Sequence, residues 1–226
     1  MKRFLESLLI FLITFLGMAQ DSLEVEYTYR EDQFYLGVTY NLLLDAPVGV
    51  SQNNVSNGIF LGYIKDIAIN RRHTKALGIG LGYNLNTYFT NLRAFEDNGQ
   101  IGYAQISTLE FDKNRFTTHI LEMPIEFRWR TSTPTEYKFW RIYGGVKLGY
   151  VFANNYVFES SEGKERFSND NLRDFQYGLS LAAGYGTWNA YIYYGLNSLL
   201  EDDVRTIQGN EITMRDLKFG LIFYIL

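Results

Sequence analysis

Along this chain, bulky apolar residues return at every second position. The stretch from His119 to Arg130 sets the pattern. Leu121, Met123, Ile125, Phe127 and Trp129 alternate there with Glu122, Pro124, Glu126, Arg128 and Arg130. A period of two marks a β-strand with two unlike faces. Such runs recur near residues 33–44, 58–70, 75–92, 115–131, 138–157, 172–185, 187–197 and 214–226. In the third, Leu77, Ile79, Leu81, Tyr83 and Leu85 alternate with Gly78, Gly80, Gly82, Asn84 and Asn86. In the last, Leu217, Phe219, Leu221, Phe223 and Ile225 alternate with Lys218, Gly220, Ile222 and Tyr224. The second run is less regular, because Lys65 falls in phase with Ile59, Leu61, Tyr63 and Ile67. A bulge or a rim position accounts for that. Pro124, unable to donate a ladder hydrogen bond, predicts a bulge or bend in the fourth run.

The connections alternate as well. Short turns are expected at 71–74, 132–137 and 186–187, and long polar loops at roughly 45–57, 93–114, 158–171 and 198–213. Short turns at one end and long loops at the other are the layout of an outer-membrane barrel. The fold class expected is all-β, an eight-stranded antiparallel transmembrane up-and-down β-barrel with short periplasmic turns and long extracellular loops.

Volume decides which face points outward. An eight-stranded barrel has an interior just wide enough for side chains. The apolar set, at about five residues per membrane strand, is too large to fit inside. The other set, rich in Gly, Asn, Ser and Thr, fits. The bulky rows therefore face outward, where water would drive aggregation and lipid would not. Glu122, Glu126, Arg128 and Arg130 then face the lumen, with Arg141, Lys147 and Lys218 as partners, because buried charges persist only when paired. This network is read as structural, filling a lumen that does not conduct. Trp129, Tyr137, Trp140 and Trp188, with Tyr88 and Tyr156, are expected to form interfacial aromatic girdles.

Composition agrees. Aromatic residues make up 17% of the 226 residues and prolines number 3, which favours strands over helices. A net charge of −4 gives no sign of nucleic-acid binding. The absence of cysteine excludes disulfides, thiol catalysis and Cys-ligated metals. Lys2 and Arg3, then an apolar segment, then "GMA" read as a signal peptide over residues 1–19. The alternative is an N-terminal membrane anchor. Residues 20–226 are then one barrel domain.

Candidate chemistry is sparse. His73 sits in a predicted short turn. His119 lies near the loop end of its strand with no serine in the run. Glu201, Asp202 and Asp203 lack the spaced ligands and turning glycine of a calcium loop. "GIGLG" at 78–82 has no helix after it and reads as a lumen-facing glycine column. No catalytic residue, metal site or cofactor is expected.

The segment "LEMPIEFRWRTSTPTEYKFWRIYGGVKLGYVF" (121–152) resembles the PorT-like outer-membrane barrels, and the terminal "LKFGLIFYIL" fits their final strand. Its more specific parts are "RWRTS" and "WRIYGG" beside the Leu-x-x-Pro strand. Leu226 stands where many outer-membrane barrels end in Phe. The resemblance implies a non-enzymatic accessory of the type IX secretion system, which exports proteins across the Gram-negative outer membrane. Expected partners are outer-membrane lipid and other secretion or envelope proteins, met through the loops or the periplasmic rim, and no nucleic acid. The alternatives are a general small barrel for envelope integrity or adhesion, a lipid-modifying barrel enzyme, and a soluble barrel that binds an apolar ligand.

Overall fold

The computed structural model describes residues 33–70, 72–97, 99–131 and 139–225. The expected signal peptide, Tyr137, the turn at 132–137 and Leu226 lie outside them. The strands are β1 (Gln33–Leu44), β2 (Asn57–Ala68), β3 (Lys75–Phe89), β4 (Leu92–Asp97), β5 (Gln100–Gln105) and β6 (Lys113–Arg130). β7 (Trp140–Ser160), β8 (Gly163–Phe167), β9 (Phe175–Tyr185), β10 (Trp188–Gly195) and β11 (Arg215–Ile225) follow. The ring runs β1–β2–β3–β6–β7–β9–β10–β11 and closes on itself where β11 pairs with β1. Every neighbour is antiparallel, so this is a closed eight-stranded up-and-down barrel.

The two faces sort as the alternation predicts. Phe34, Leu36, Leu61, Leu81, Leu121, Phe127, Leu179 and Phe219 are exposed on the outer wall. The facing set is buried, and it is not only small. Tyr35, Phe60, Ile64, Tyr143, Tyr191, Tyr193, Ile222 and Tyr224 pack inside the barrel. Glycines make room for them. A Cβ on Gly37 would lie 2.1 Å from Phe60, and one on Gly82 2.0 Å from the Tyr35 hydroxyl. The 78–82 glycines are thus lumen-facing, each opposite a large side chain.

The irregularities differ from expectation. Pro124 causes no bulge. The β3–β6 ladder lapses where Gly80 and Leu81 oppose Pro124 and Met123, then resumes in unchanged register. The β6–β7 pairing runs straight through Pro124 and Lys147, and its register shift falls at His119/Ile120, with the extra residue on β7. There Phe152 and Ala153 are both exposed, and the alternation changes phase. Lys65 needs no bulge either. It pairs in register with Ile79 and is exposed near the short-turn rim.

Two of the expected loops carry further strands. β4 and β5 form a separate hairpin between β3 and β6, and β8 extends the sheet from β7. At the opposite end, β9 and β10 are joined by two residues, with Gly186 at a φ of 58° that glycine takes without Cβ strain.

Leu81 lies mid-strand on the outer wall. Leu81→Arg is expected to lower barrel stability by about 2–4 kcal/mol, the cost of a cation near a bilayer midplane. Urea unfolding of the barrel in lipid vesicles reads this out; a loss below roughly 0.5 kcal/mol, as for an ordinary surface substitution, would place that row elsewhere than in lipid.

Candidate functional site

A carboxylate held inside a narrow barrel must be hydrogen-bonded or neutralised. Three groupings do this, stacked along the lumen. Near the short-turn end, Asp66 bridges Arg128 and Arg130, and Arg128 also donates to Gln33. Glu126 Oε2 lies 3.8 Å from Arg128 Nε. The Arg128 guanidinium also sits 3.9 Å from the Tyr143 ring centre.

In the middle, Lys147 Nζ donates to Glu122 Oε1 at 2.9 Å. Tyr35 Oη donates to the same oxygen at 2.9 Å, and Asn84 Nδ2 to Oε2 at 3.0 Å. Rings of Phe60 and Tyr191 lie 4.5 Å and 5.1 Å from Lys147 Nζ. Toward the loops, Asp216 accepts from Lys218 at 2.8 Å and from Tyr88 Oη at 2.9 Å. Between these layers remains a void of about 20 Å³ among Asn84, Glu122, Lys147, Gln176 and Lys218. That is room for about one water.

All seven charged residues expected in the lumen are buried there: Glu122, Glu126, Arg128, Arg130, Arg141, Lys147 and Lys218. Their pairing is as expected only for Lys147. Lys147 meets Glu122, but Lys218 meets Asp216, and Arg141 lies over Phe139 and Tyr224 at 4.5 Å and 5.4 Å. Sequence reasoning missed both organising aspartates. Each was in phase: Asp66 with Phe60 and Ile64, and Asp216 with Lys218.

The aromatic girdle divides. Trp140 and Trp188 are exposed at the short-turn end, and Trp129 is half-buried there. Trp140 contacts Tyr185, and Trp188 contacts Phe223. Tyr88 and Tyr156 are corrections, because both point inward. Tyr88 was in lumen phase from the start. Tyr156 would have faced outward, but the extra residue at Phe152 turns it in, where it donates to Asn114 Oδ1 and accepts from Ala94 N.

The loop end is the second correction. The loops read as polar and solvated, yet they close over an apolar core of their own. Tyr88, Leu92, Tyr103, Phe111, Phe116, Tyr156, Phe158, Leu172, Leu199, Leu200, Ile212 and Met214 form one buried cluster. The four loops are stitched together around it. Ser51 N donates to Asn91 Oδ1, Arg173 N to Leu199 O and Ile207 N to Tyr103 O. Tyr103 Oη donates to Asn169 Oδ1 at 2.8 Å. Burial raises the Tyr103 phenol above its ordinary range, against the lowering by Asn169, so it serves as a neutral donor. The acidic run Glu201–Asp203 is tied to Arg173, which pairs with Asp202 at 2.6 Å. His73 lies in the β2–β3 turn, where its carbonyl accepts from Arg130 Nε. His119 faces outward, with Tyr83 Oη 2.7 Å from its Nδ1.

The chain matches the family model described as "Outer membrane protein beta-barrel domain" over residues 18–201. The match is to the general barrel domain and does not single out the PorT-like group. Among solved structures it is similar to Ail, the attachment invasion locus protein of Yersinia pestis. Identity is 14%, covering 86% of this chain and 97% of that one, with a TM-score of 0.36. It is also similar to the same protein in complex with the heparin analogue sucrose octasulfate, at 15% identity, 87% and 99% coverage and a TM-score of 0.37. No curated protein sequence matches the chain.

Asp66→Ala removes the carboxylate shared by two buried guanidinium groups. It is expected to cost about 3–5 kcal/mol, the scale for breaking a buried ion pair. Lys65→Gln, one residue away on the outer wall, is expected to change stability by less than about 0.5 kcal/mol. Paired urea titrations in vesicles measure both, and equal effects would contradict the network.

Proposed function

The chain belongs to the outer membrane protein beta-barrel family, and from that premise we propose that it is a non-conducting, non-enzymatic scaffold that displays a folded extracellular binding cap. It resides in the outer membrane. The observation that carries the proposal is the buried apolar cluster under the four loops, set above a lumen filled by ion pairs. A channel would gain nothing from loops that pack over its mouth. A binding protein would, because a preordered surface avoids the entropy cost of ordering loops on contact. Adhesion, or docking of an envelope partner, fits such a cap. On this reading the loop end carries the biochemical role, with the barrel as its anchor.

A second reading is favoured by the 121–152 segment and its resemblance to PorT-like barrels. On that reading the partner belongs to the protein-secretion machinery of the outer membrane. Deleting the gene then depletes secreted proteins while detergent resistance of the envelope stays normal. A role in general envelope integrity gives the reverse.

Leu199→Asp places a charge in the cap core, away from the membrane wall. Such a variant is expected to insert as a barrel, with the loops newly cut by protease. It should fail to rescue the deletion phenotype, whether adhesion or secretion. Full rescue by a variant with demonstrably opened loops would reject the cap as the working surface. In planar bilayers the unmodified protein is expected to give no stepwise conductance.

A further inference from the structure

Above the membrane wall, the outer face of β6, β7 and β8 carries a column of cations. The three strands are in register there. Arg115 pairs with Val157, which pairs with Arg166. One rung farther out, Lys113 pairs with Glu159, which pairs with Lys164. Each of these residues is in outward phase, because Arg115 and Lys113 continue the row of Leu121 and His119.

The column holds four cations against one carboxylate. Glu159 is shared by Lys113 and Lys164, 3.6 Å from each. Among the described residues neither arginine has an acidic partner. Arg166 donates its Nε–H to Asn155 Oδ1, which fixes the head group against the sheet. Arg115 Nε is buried and makes no hydrogen bond. Val157, between the two arginines, is buried despite its outward phase, so its lateral neighbours must lie over it. Strands lie about 4.8 Å apart, which puts Arg115 and Arg166 roughly 10 Å apart at their Cα atoms. Two guanidinium groups can converge on one tetrahedral anion across that span.

Height identifies the anion. Trp129 marks the lower aromatic level on β6, and His119, packed with Tyr83 and Phe152, marks the upper one. A rise of about 3.3 Å per residue at a tilt near 40° carries those ten residues up by about 25 Å, the height of an outer-membrane apolar band. On the same scale the Arg115 Cα lies about 10 Å above the hydrocarbon edge, just past the outer margin of the headgroup layer, from which a long arginine side chain can reach down into it. Arg166 also borders a groove lined by Glu96, Asp97 and Glu165, of which Glu165 is paired with Arg93.

We propose that Arg115 and Arg166, flanked by Lys113 and Lys164, bind the phosphate of an anionic glycolipid in the outer leaflet. The site is open to the side, toward lipid, and independent of whatever the cap binds. The hydroxyl of Thr117, one rung below Arg115, lies 3.3 Å from that of Thr87, and the pair retains a proton to offer the phosphate.

The test uses the full mature protein in detergent and native mass spectrometry. Bis-phosphorylated lipid A is offered against its dephosphorylated form, with inorganic phosphate as competitor. The unmodified protein is expected to retain the phosphorylated lipid at least tenfold better. Arg115→Gln with Arg166→Gln should abolish that preference, while Arg115→Lys with Arg166→Lys keeps part of it, and Arg173→Gln leaves it intact. Heat-modifiable gel migration confirms that each variant is folded. Equal retention of both lipids, an unchanged preference in the folded double Gln variant, or displacement by millimolar inorganic phosphate would each overturn the proposal.

Discussion

Hydrocarbon offers no hydrogen bond to a peptide group, and this constraint organises the whole molecule. Each unpaired N–H or C=O in lipid costs several kcal/mol, so a sheet that crosses a membrane must close. The pairing of β1 with β11 supplies that closure. Once closed, each strand residue has only two destinations, lipid or lumen. Irregularities must then respect the ring. Pro124 interrupts two rungs with β3 but shifts nothing, and the one-residue insertion at Phe152 comes only at the upper aromatic level, where water can meet the backbone.

The lumen follows from the same closure. Eight strands enclose too little space for a wide water channel and too much for small residues alone. Aromatic rings opposite glycines take up the volume, and three carboxylate-centred clusters hold most of the charges. Glu122 accepts from a lysine, a tyrosine and an asparagine, so most of its lone pairs are used. Removing a partner from such a network leaves a buried charge uncompensated. On the proposed reading the barrel is a post, with its exposed chemistry carried at its ends and along its sides. The loops add a second core that depends on water rather than lipid for its stability, since it buries Leu, Phe and Tyr side chains away from solvent.

Much of this was legible from alternation. Rows such as Leu77–Leu85 against Gly78–Asn86 fix strand, face and solvent together, because bulk and polarity agree. Legibility failed where one residue controls phase. Tyr156 reads as outward until the extra residue at Phe152 is known, and no local sequence signal announces it. The lumen cations were found because they stand in strongly patterned runs. Their partners Asp66 and Asp216 were missed, because Asp66 sits beside the out-of-pattern Lys65 and Asp216 at the start of the last strand, before its apolar row begins. The cap was missed for a different reason. Its apolar residues, such as Leu172, Leu199 and Ile212, are scattered among polar neighbours over distant loops, and only tertiary closure gathers them.

The natural chain has no cysteine, so single cysteines can carry spin labels at successive positions from 117 to 129 on β6 and from 146 to 158 on β7. Collision with lipid-dissolved oxygen then reports which face each label takes. The account predicts strict alternation along β6, with odd positions lipid-exposed up to the upper aromatic level. Along β7 it predicts even positions outward below Phe152 and odd positions outward above it. Uniform exposure, or oxygen contact at the Glu122 and Glu126 phase, would contradict the claim that hydrocarbon wets the bulky rows.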